Sequence, residues 1–476
     1  MARGSRAQHE LYSPERPTAV VLSGTGVDGA YHAGILEALQ EAGVKIDLVA
    51  GRGVGALAAV LFALDGAAAL WNPRGLWRRP TRRAAYGLTR PYRAVGAALV
   101  VIAGLVSSPL ALLLAAVAVW PVSLLAGWSG LDGTPTVAER YAAWLGWVFQ
   151  PEHLATWIAR LVLVVATLLL LGLAVGAAVT ALRAPRRQRG HLAWRLLGAP
   201  IDSGRFAATA MSALWDLLRG GAALARPRAA ELSVRLSELL VSGAGQPGHR
   251  DLLLTVHDLD ARRDLVFGMI GGDAGRRLFP GVTGVAGRRA EAFDLAGPAK
   301  ASLIDVVSGA LTLADLSEPH PLAFPADSFW RGEVHRLADR PASLSRLLEE
   351  AAAAGMEQAI IVTASPDVGG PHDLRPARLD PRGRAGEWLA AQEAAAVRDA
   401  VRYAQAHFHA VFVIRPAHNA LTPLDLAGAE DAASDRRATP ADLVTRGHED
   451  AHRLFIAPAL GAAGERVGED SSRGRS

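Results

Sequence analysis

Gly51-Arg52-Gly53-Val54-Gly55 follows the mainly apolar segment Ile46–Ala50, interrupted by Asp47, and precedes Ala56–Leu64, which is apolar all round. The run before it reads as a buried strand and the run after it as a buried helix. A glycine cluster joining a strand to a helix is where a nucleophile elbow of the G-x-S-x-G kind lies. Such an elbow needs small neighbours, because its central residue is strained and points at the substrate. Here the central residue is Gly53.

Toward the N-terminus the same order repeats. Thr18–Leu22 (TAVVL) is a short β-branched apolar run, and Ser23-Gly24-Thr25-Gly26-Val27-Asp28-Gly29 follows it. Ala30–Ala42 then has helical spacing, with Ile35, Leu36 and Leu39 on one face and Gly43 as its stop. Strand, glycine turn and helix, twice over, predict an α/β fold with parallel neighbouring strands. Glycines between a strand and a helix leave backbone N–H groups open to a phosphate or a developing oxyanion. As G-x-G-x-x-G the first turn also fits a dinucleotide fold, which requires an acidic residue closing the second strand. Asp47 has the spacing but opens that strand, so nucleotide binding by a membrane protein stands as the weaker alternative.

Leu22–Leu39 (LSGTGVDGAYHAGILEAL) and Asp47–Ala63 (DLVAGRGVGALAAVLFA) together resemble the patatin-like phospholipase family, whose blocks run roughly LSGGGxRGxYHxGVLxAL and D-x-xxGTSVGALxAxxxA. Arg446-Gly447-His448-Glu449-Asp450-Ala451 is similar to the last helix of that family. The resemblance implies a patatin-like three-layer sandwich around a central, mostly parallel sheet. It also implies a Ser–Asp dyad that cleaves acyl esters of lipids, with the first glycine turn holding the oxyanion.

The sequence departs from that chemistry at several positions. The resemblance sets the serine at position 53, where Gly53 has no side chain. In another serine hydrolase, loss of the nucleophile costs roughly a million-fold in turnover. Asp28 replaces a basic residue in the oxyanion turn, and a carboxylate there opposes a forming oxyanion. Thr25 replaces a glycine. The dyad aspartate, counted back from Gly355 and the strand Gln358–Ala364, falls on Asp339, where Arg340 and Pro341 have displaced the usual glycines. A rival alignment places Trp330-Arg331-Gly332-Glu333 there and loses the aspartate. The candidate site is therefore Gly53 as a vacant nucleophile position and Asp339 as dyad partner. Gly24, Thr25, Gly26, Asp28 and Gly29 form the oxyanion turn, and Gly51, Arg52 and Gly55 the elbow. Glycine fits the strained elbow backbone at lower steric cost than serine, so the fold should survive as a cradle that binds without cutting. Ser23 is the nearest serine that could act as a displaced nucleophile. His32 is read as structural, and no metal and no cofactor are expected.

Between the two family-like parts the composition changes. Ala94–Ala126 and Leu161–Leu182 carry no charge, and each exceeds the about 20 residues that cross a bilayer as a helix. Pro109 and Pro121 predict a kink or an early end in the first. Arg74, Arg78, Arg79, Arg82, Arg83, Arg90 and Arg93 precede the pair, and Arg183, Arg186, Arg187, Arg189 and Arg195 follow it. The connection Gly127–Trp157 holds Arg140 against Asp132, Glu139 and Glu152. Basic flanks stay on the cytoplasmic side, so the segments form a transmembrane hairpin with the globular part and both termini cytoplasmic. Trp120, Trp128, Trp144, Trp147 and Trp157 lie near the segment ends, where indoles favour the interface. The expected organisation is a polar tail (1–17), a patatin-like part (18–90), a membrane insertion (91–190), a second patatin-like part (191–460) and a disordered tail (461–476).

The chain has no cysteine, which excludes disulfides, thiol catalysis and thiolate metal sites. Met1–Pro17 lacks an apolar stretch of the secretory kind. A net charge of +4 without a basic, aromatic-interleaved stretch argues against nucleic acid as a partner. The expected partners are the bilayer and an acyl lipid. The expected function is a membrane-anchored, lipid-related protein lacking serine acyl-hydrolase activity, with an active hydrolase using a displaced nucleophile as the alternative.

Overall fold

The computed structural model describes residues 12–78, 86–129, 137–150, 152–183, 198–244, 246, 248–279, 285–367, 378–431, 434 and 436–460. Arg79, Arg82, Arg83, Asp132, Arg186, Arg187, Arg189, Arg195, most of the N-terminal tail and the tail 461–476 lie outside them. The described chain divides into two compact units, one drawn from Met1–Gly87 and Asp202–Ser476, the other from Leu88–Ile201.

The first unit is built on a nine-stranded sheet: β1 (Thr18–Ser23), β2 (Leu48–Gly51), β3 (Asp251–Asp258), β4 (Arg263–Met269), β5 (Ala292–Asp294), β6 (His320–Ala323), β7 (Val334–Ala338), β8 (Gln358–Thr363) and β9 (Ala410–Ile414). The order is β9-β8-β1-β2-β3-β4-β5, with β7 pairing to β3 and β6. Strands β9 to β3 are parallel, and β4 turns back antiparallel on β3. This is the mixed α/β fold with a mostly parallel sheet that the alternation predicts. All six residues of β1 are buried, as expected of a central parallel strand covered on both faces.

Helices α1 (Asp28–Glu41) and α2 (Val54–Ala63) follow β1 and β2. Ala19, Val21, Leu48 and Ala50 meet Leu344, Leu347, Leu348, Val397 and Ala400 in one core cluster. Side chains alternate along a strand, so that face packs under the helices Ser343–Ala353 and Pro381–His407, and Val20 and Leu22 point the other way.

The register positions the site. Leu22 pairs with Gly51, so the glycine turn after β1 and the elbow after β2 leave the same sheet edge side by side. Strand β7 runs antiparallel to the C-terminal end of β3, pairing Leu337 with Asp258 and Ala338 with His257. That carries Asp339 to the same edge, where its N–H donates to Thr312 O at 2.8 Å.

In the second unit, α3 (Arg90–Trp128) packs against both α4 (Val137–Val148) and α5 (Leu154–Arg183). Of the two expectations for this stretch, a kink or an early end, the second needs correction, because α3 continues through both prolines. Pro109 has no N–H for the carbonyl of Leu105, but the Ser108 hydroxyl donates to that oxygen at 2.8 Å. A neighbouring hydroxyl that satisfies the freed carbonyl is what lets a helix tolerate proline. The connection also contains a helix, α4, whose Tyr141 hydroxyl donates to Leu112 O at 2.5 Å. Arg90–Leu125 and Trp157–Gly176 are long and apolar enough to cross a membrane. Leu99, Leu110, Leu114, Leu163, Leu168 and Leu170 are each at least 60 % exposed.

Candidate functional site

Gly53 caps α2 with φ +57° and ψ −134°. That region is costly for any residue with a side chain, and glycine adopts it without that cost. A Cβ added at this position would lie 2.1 Å from Gly24 O and 2.9 Å from Asp339 Oδ2. The first contact is with backbone and cannot be relieved by a rotamer change. The two turns touch directly, and the Val54 N–H donates to Gly24 O at 2.9 Å. In a nucleophile elbow the amide after the nucleophile is an oxyanion donor. Here it holds the two turns together.

Arg52, immediately before, is fully buried. Its Nε donates to Asp339 Oδ1 at 3.1 Å and its Nη2 to Asp339 Oδ2 at 2.9 Å. Nη2 also donates to Thr25 Oγ1 at 3.2 Å. Nη1 donates to Glu393 Oε2 at 2.6 Å and to Ser23 Oγ at 3.3 Å. A guanidinium has five N–H donors, and this one directs all of them at buried acceptors. The Asp339 contact is bidentate, the strong geometry for arginine and carboxylate. Thr25 Oγ1 donates to Asp339 Oδ2 at 3.0 Å, and Ser23 Oγ donates to Glu393 Oε1 at 2.5 Å.

Asp28 faces the first turn from inside. Its Oδ2 accepts the Thr25 N–H at 2.8 Å, and the Val27 N–H goes to Pro423 O at 3.0 Å. Two amides of the oxyanion turn are thus taken by acceptors of the chain itself. Burial, and after it the charge of Glu393, pushes the Asp28 carboxyl up to about 7, against the Thr25 amide and Arg52. Burial likewise raises Glu393, with Arg52 opposing. His32 is buried; its Nε2 meets Ser23 O at 3.1 Å and so donates to it. Burial lowers its pKa to about 4, which keeps it neutral. Its Nδ1 has no partner among the described residues.

The structure therefore brings Gly24, Thr25, Asp28, Arg52, Gly53 and Asp339 together, while Gly26 and Gly29 continue the turn into α1 and Gly51 and Gly55 flank the elbow. Trp330, from the rival alignment, is engaged elsewhere, donating its indole N–H to Ala290 O at 3.1 Å. The cradle expected around residue 53 is occupied by the guanidinium and its acceptors. Glu393, from the helix Pro381–His407, is the participant that sequence reasoning missed. Asp47 accepts the Thr18 N–H at 2.9 Å, at the start of β1. Nucleotides bind beyond the carboxyl ends of such strands, so Asp47 sits at the wrong edge of the sheet to hold a ribose.

Residues 20–242 match the family model described as patatin-like phospholipase. Patatin-like phospholipase domain-containing protein 6 of Mus musculus, Pongo abelii and Homo sapiens is similar over 56 residues at 45 % identity. That stretch is 12 % of this chain and 4 % of each relative, so the chain matches only a small part of their length. The crystal structure of VipD from Legionella pneumophila aligns with 95 % of this chain and 69 % of its own, at 13 % identity and a TM-score of 0.28. At that score the likeness carries no argument.

Proposed function

Since the chain carries a patatin-like phospholipase domain over residues 20–242, we propose that it is a membrane-anchored, lipid-related member of that family without serine acyl-hydrolase activity. One observation carries the reading: Arg52 fills the space between Asp339 and Glu393 with every donor engaged, next to a residue 53 that has no side chain and no room for one. An acyl hydrolase needs an attacking atom, a base free to take its proton and open oxyanion donors. The attacking atom is missing, Asp339 is held by arginine, and the amides of Thr25 and Val54 are already bonded. The function then lies in binding a lipid or a protein at the membrane, away from the closed elbow.

The anchor rests on the two helices of the second unit. Leu99, Leu110, Leu114, Leu163, Leu168 and Leu170 on these helices are exposed, as side chains facing lipid are. The arginine-rich flanks favour the cytoplasmic side for both ends of the hairpin.

A second reading is favoured by one contact. Ser23 donates to Glu393 at 2.5 Å, and a serine bonded to a carboxylate of raised pKa is the arrangement a displaced nucleophile would use. Ser23 is fully buried, however, and its hydroxyl also receives Arg52. Labelling the purified full chain in detergent with a serine-directed fluorophosphonate, followed by peptide mapping, separates the two. We expect no adduct. An adduct on Ser23 that disappears in Ser23→Ala overturns the first reading in favour of the second.

A further inference from the structure

The helix Pro440–Ala451, hereafter the clasp helix, lies directly on α1. Gly34 and Gly447 are the contact points. A Cβ on Gly34 would come 1.8 Å from Val444 O, and one on Gly447 2.4 Å from Tyr31 O. Two helices whose backbones touch at glycines have little freedom to slide. The Tyr31 hydroxyl adds a bond to buried Asp450 at 2.9 Å, and Arg453 meets Asp450 at 2.6 Å.

This rigid crossing carries a side-chain cluster that the sequence reading passed over. His448-Glu449-Asp450-Ala451-His452 has H-E-x-x-H spacing, where the reading of the sequence found no such spacing among the histidines. Imidazoles four residues apart share one helix face. Glu41, at the end of α1, supplies a carboxylate opposite them. The three donor groups lie within 4.8 Å of one another, and His448 Nε2 is 2.8 Å from Glu41 Oε2. The His448 and His452 rings are 4.9 Å apart, centre to centre. Donors around a tetrahedral zinc ion stand about 3.3 Å apart, given bonds of about 2.0–2.1 Å. Binding an ion would draw these partly exposed side chains closer together by rotation.

We propose that Glu41, His448 and His452 form a binding site for a divalent transition-metal ion of the zinc type. Two imidazoles and a carboxylate suit zinc better than calcium or magnesium, which take oxygen ligands. The ion clips the clasp helix to α1, the helix that carries the oxyanion turn at its other end. The cluster faces solvent, so the site is assigned binding and no chemistry on a substrate.

The test uses the untagged full chain in detergent, stripped with a chelator and titrated with Zn²⁺ by calorimetry and with Co²⁺ by visible absorption. The expected result is one saturable site per chain, with Co²⁺ bands of a nitrogen–oxygen ligand set. His448→Ala and His452→Ala should each weaken binding by at least about tenfold, as losing even an outer-shell partner can. Glu41→Gln should do the same with the least risk to folding, because its carboxylate is exposed. Glu449→Gln should leave affinity unchanged. Absence of a stoichiometric site in the wild-type chain overturns the proposal, as does undiminished affinity in Glu41→Gln or in a folded His448→Ala/His452→Ala chain.

Discussion

Arg52 decides what this elbow can do. A buried cation with two carboxylates is stable only as a set, and removing one member of a buried ion pair costs about 3–5 kcal/mol. Arg52→Met leaves Asp339 and Glu393 facing each other without a counter-charge. We expect it to destabilise the chain by about that amount, read as a lowered unfolding midpoint in detergent; unchanged stability contradicts the lock. Asp28 and His32 make a second prediction. The Asp28 carboxyl titrates at about 7 when folded against 3.8 when unfolded, so its contribution to stability is full below 3.8 and is lost as pH rises through 7. The His32 imidazole titrates at about 4 against 6.5, so its contribution is present above 6.5 and is lost as pH falls through 4. The two slopes oppose each other over the shared window. Asp28→Asn removes one of them while keeping an acceptor for Thr25. The melting temperature of the variant relative to wild type should rise from pH 4 to 7 and level off above. A difference that does not change with pH contradicts the burial argument.

At the scale of the element, the strand–turn–helix of the elbow has settled into a form that serine no longer fits. Gly53→Ser meets both a left-handed φ and the Gly24 carbonyl at 2.1 Å. We expect a loss of at least the about 1–3 kcal/mol typical of overpacking, and no gain of ester turnover. A stable and active Gly53→Ser chain would show that the turns separate readily. The elements themselves were largely legible. The β-branched runs, the glycine turns and the helix stops around β1, α1, β2 and α2 follow from local chemistry, and those four elements stand where that chemistry puts them. What local chemistry cannot report is a partner far along the chain. Nothing near Arg52 announces Glu393, which arrives on a helix beyond β8. Nothing near His448 announces Glu41. Pro109 misled for a related reason: the carbonyl it orphans is satisfied by Ser108, one residue earlier, which a rule about proline alone leaves out.

At the scale of the whole molecule, the two units divide the proposed work. In that proposal one unit carries the closed elbow and the other would serve as the anchor. The orientation follows from the arginines that flank the two helices, and introduced cysteines test it. The chain has no cysteine, which makes introduced cysteines free of background. Glu139→Cys should react with a membrane-impermeant maleimide in intact cells, and Glu15→Cys and Glu333→Cys only after lysis. The reverse pattern contradicts the orientation, and labelling of all three in intact cells contradicts a hairpin.

The central claim is that a lipase-like elbow has been closed by an arginine in place of a nucleophile. The most direct test is steady-state ester turnover by the purified wild-type chain in lipid nanodiscs, with short-chain esters and phospholipid as substrates. The account predicts release of fatty acid at the rate of nanodiscs without protein. Turnover that scales with the amount of chain and survives further purification contradicts it.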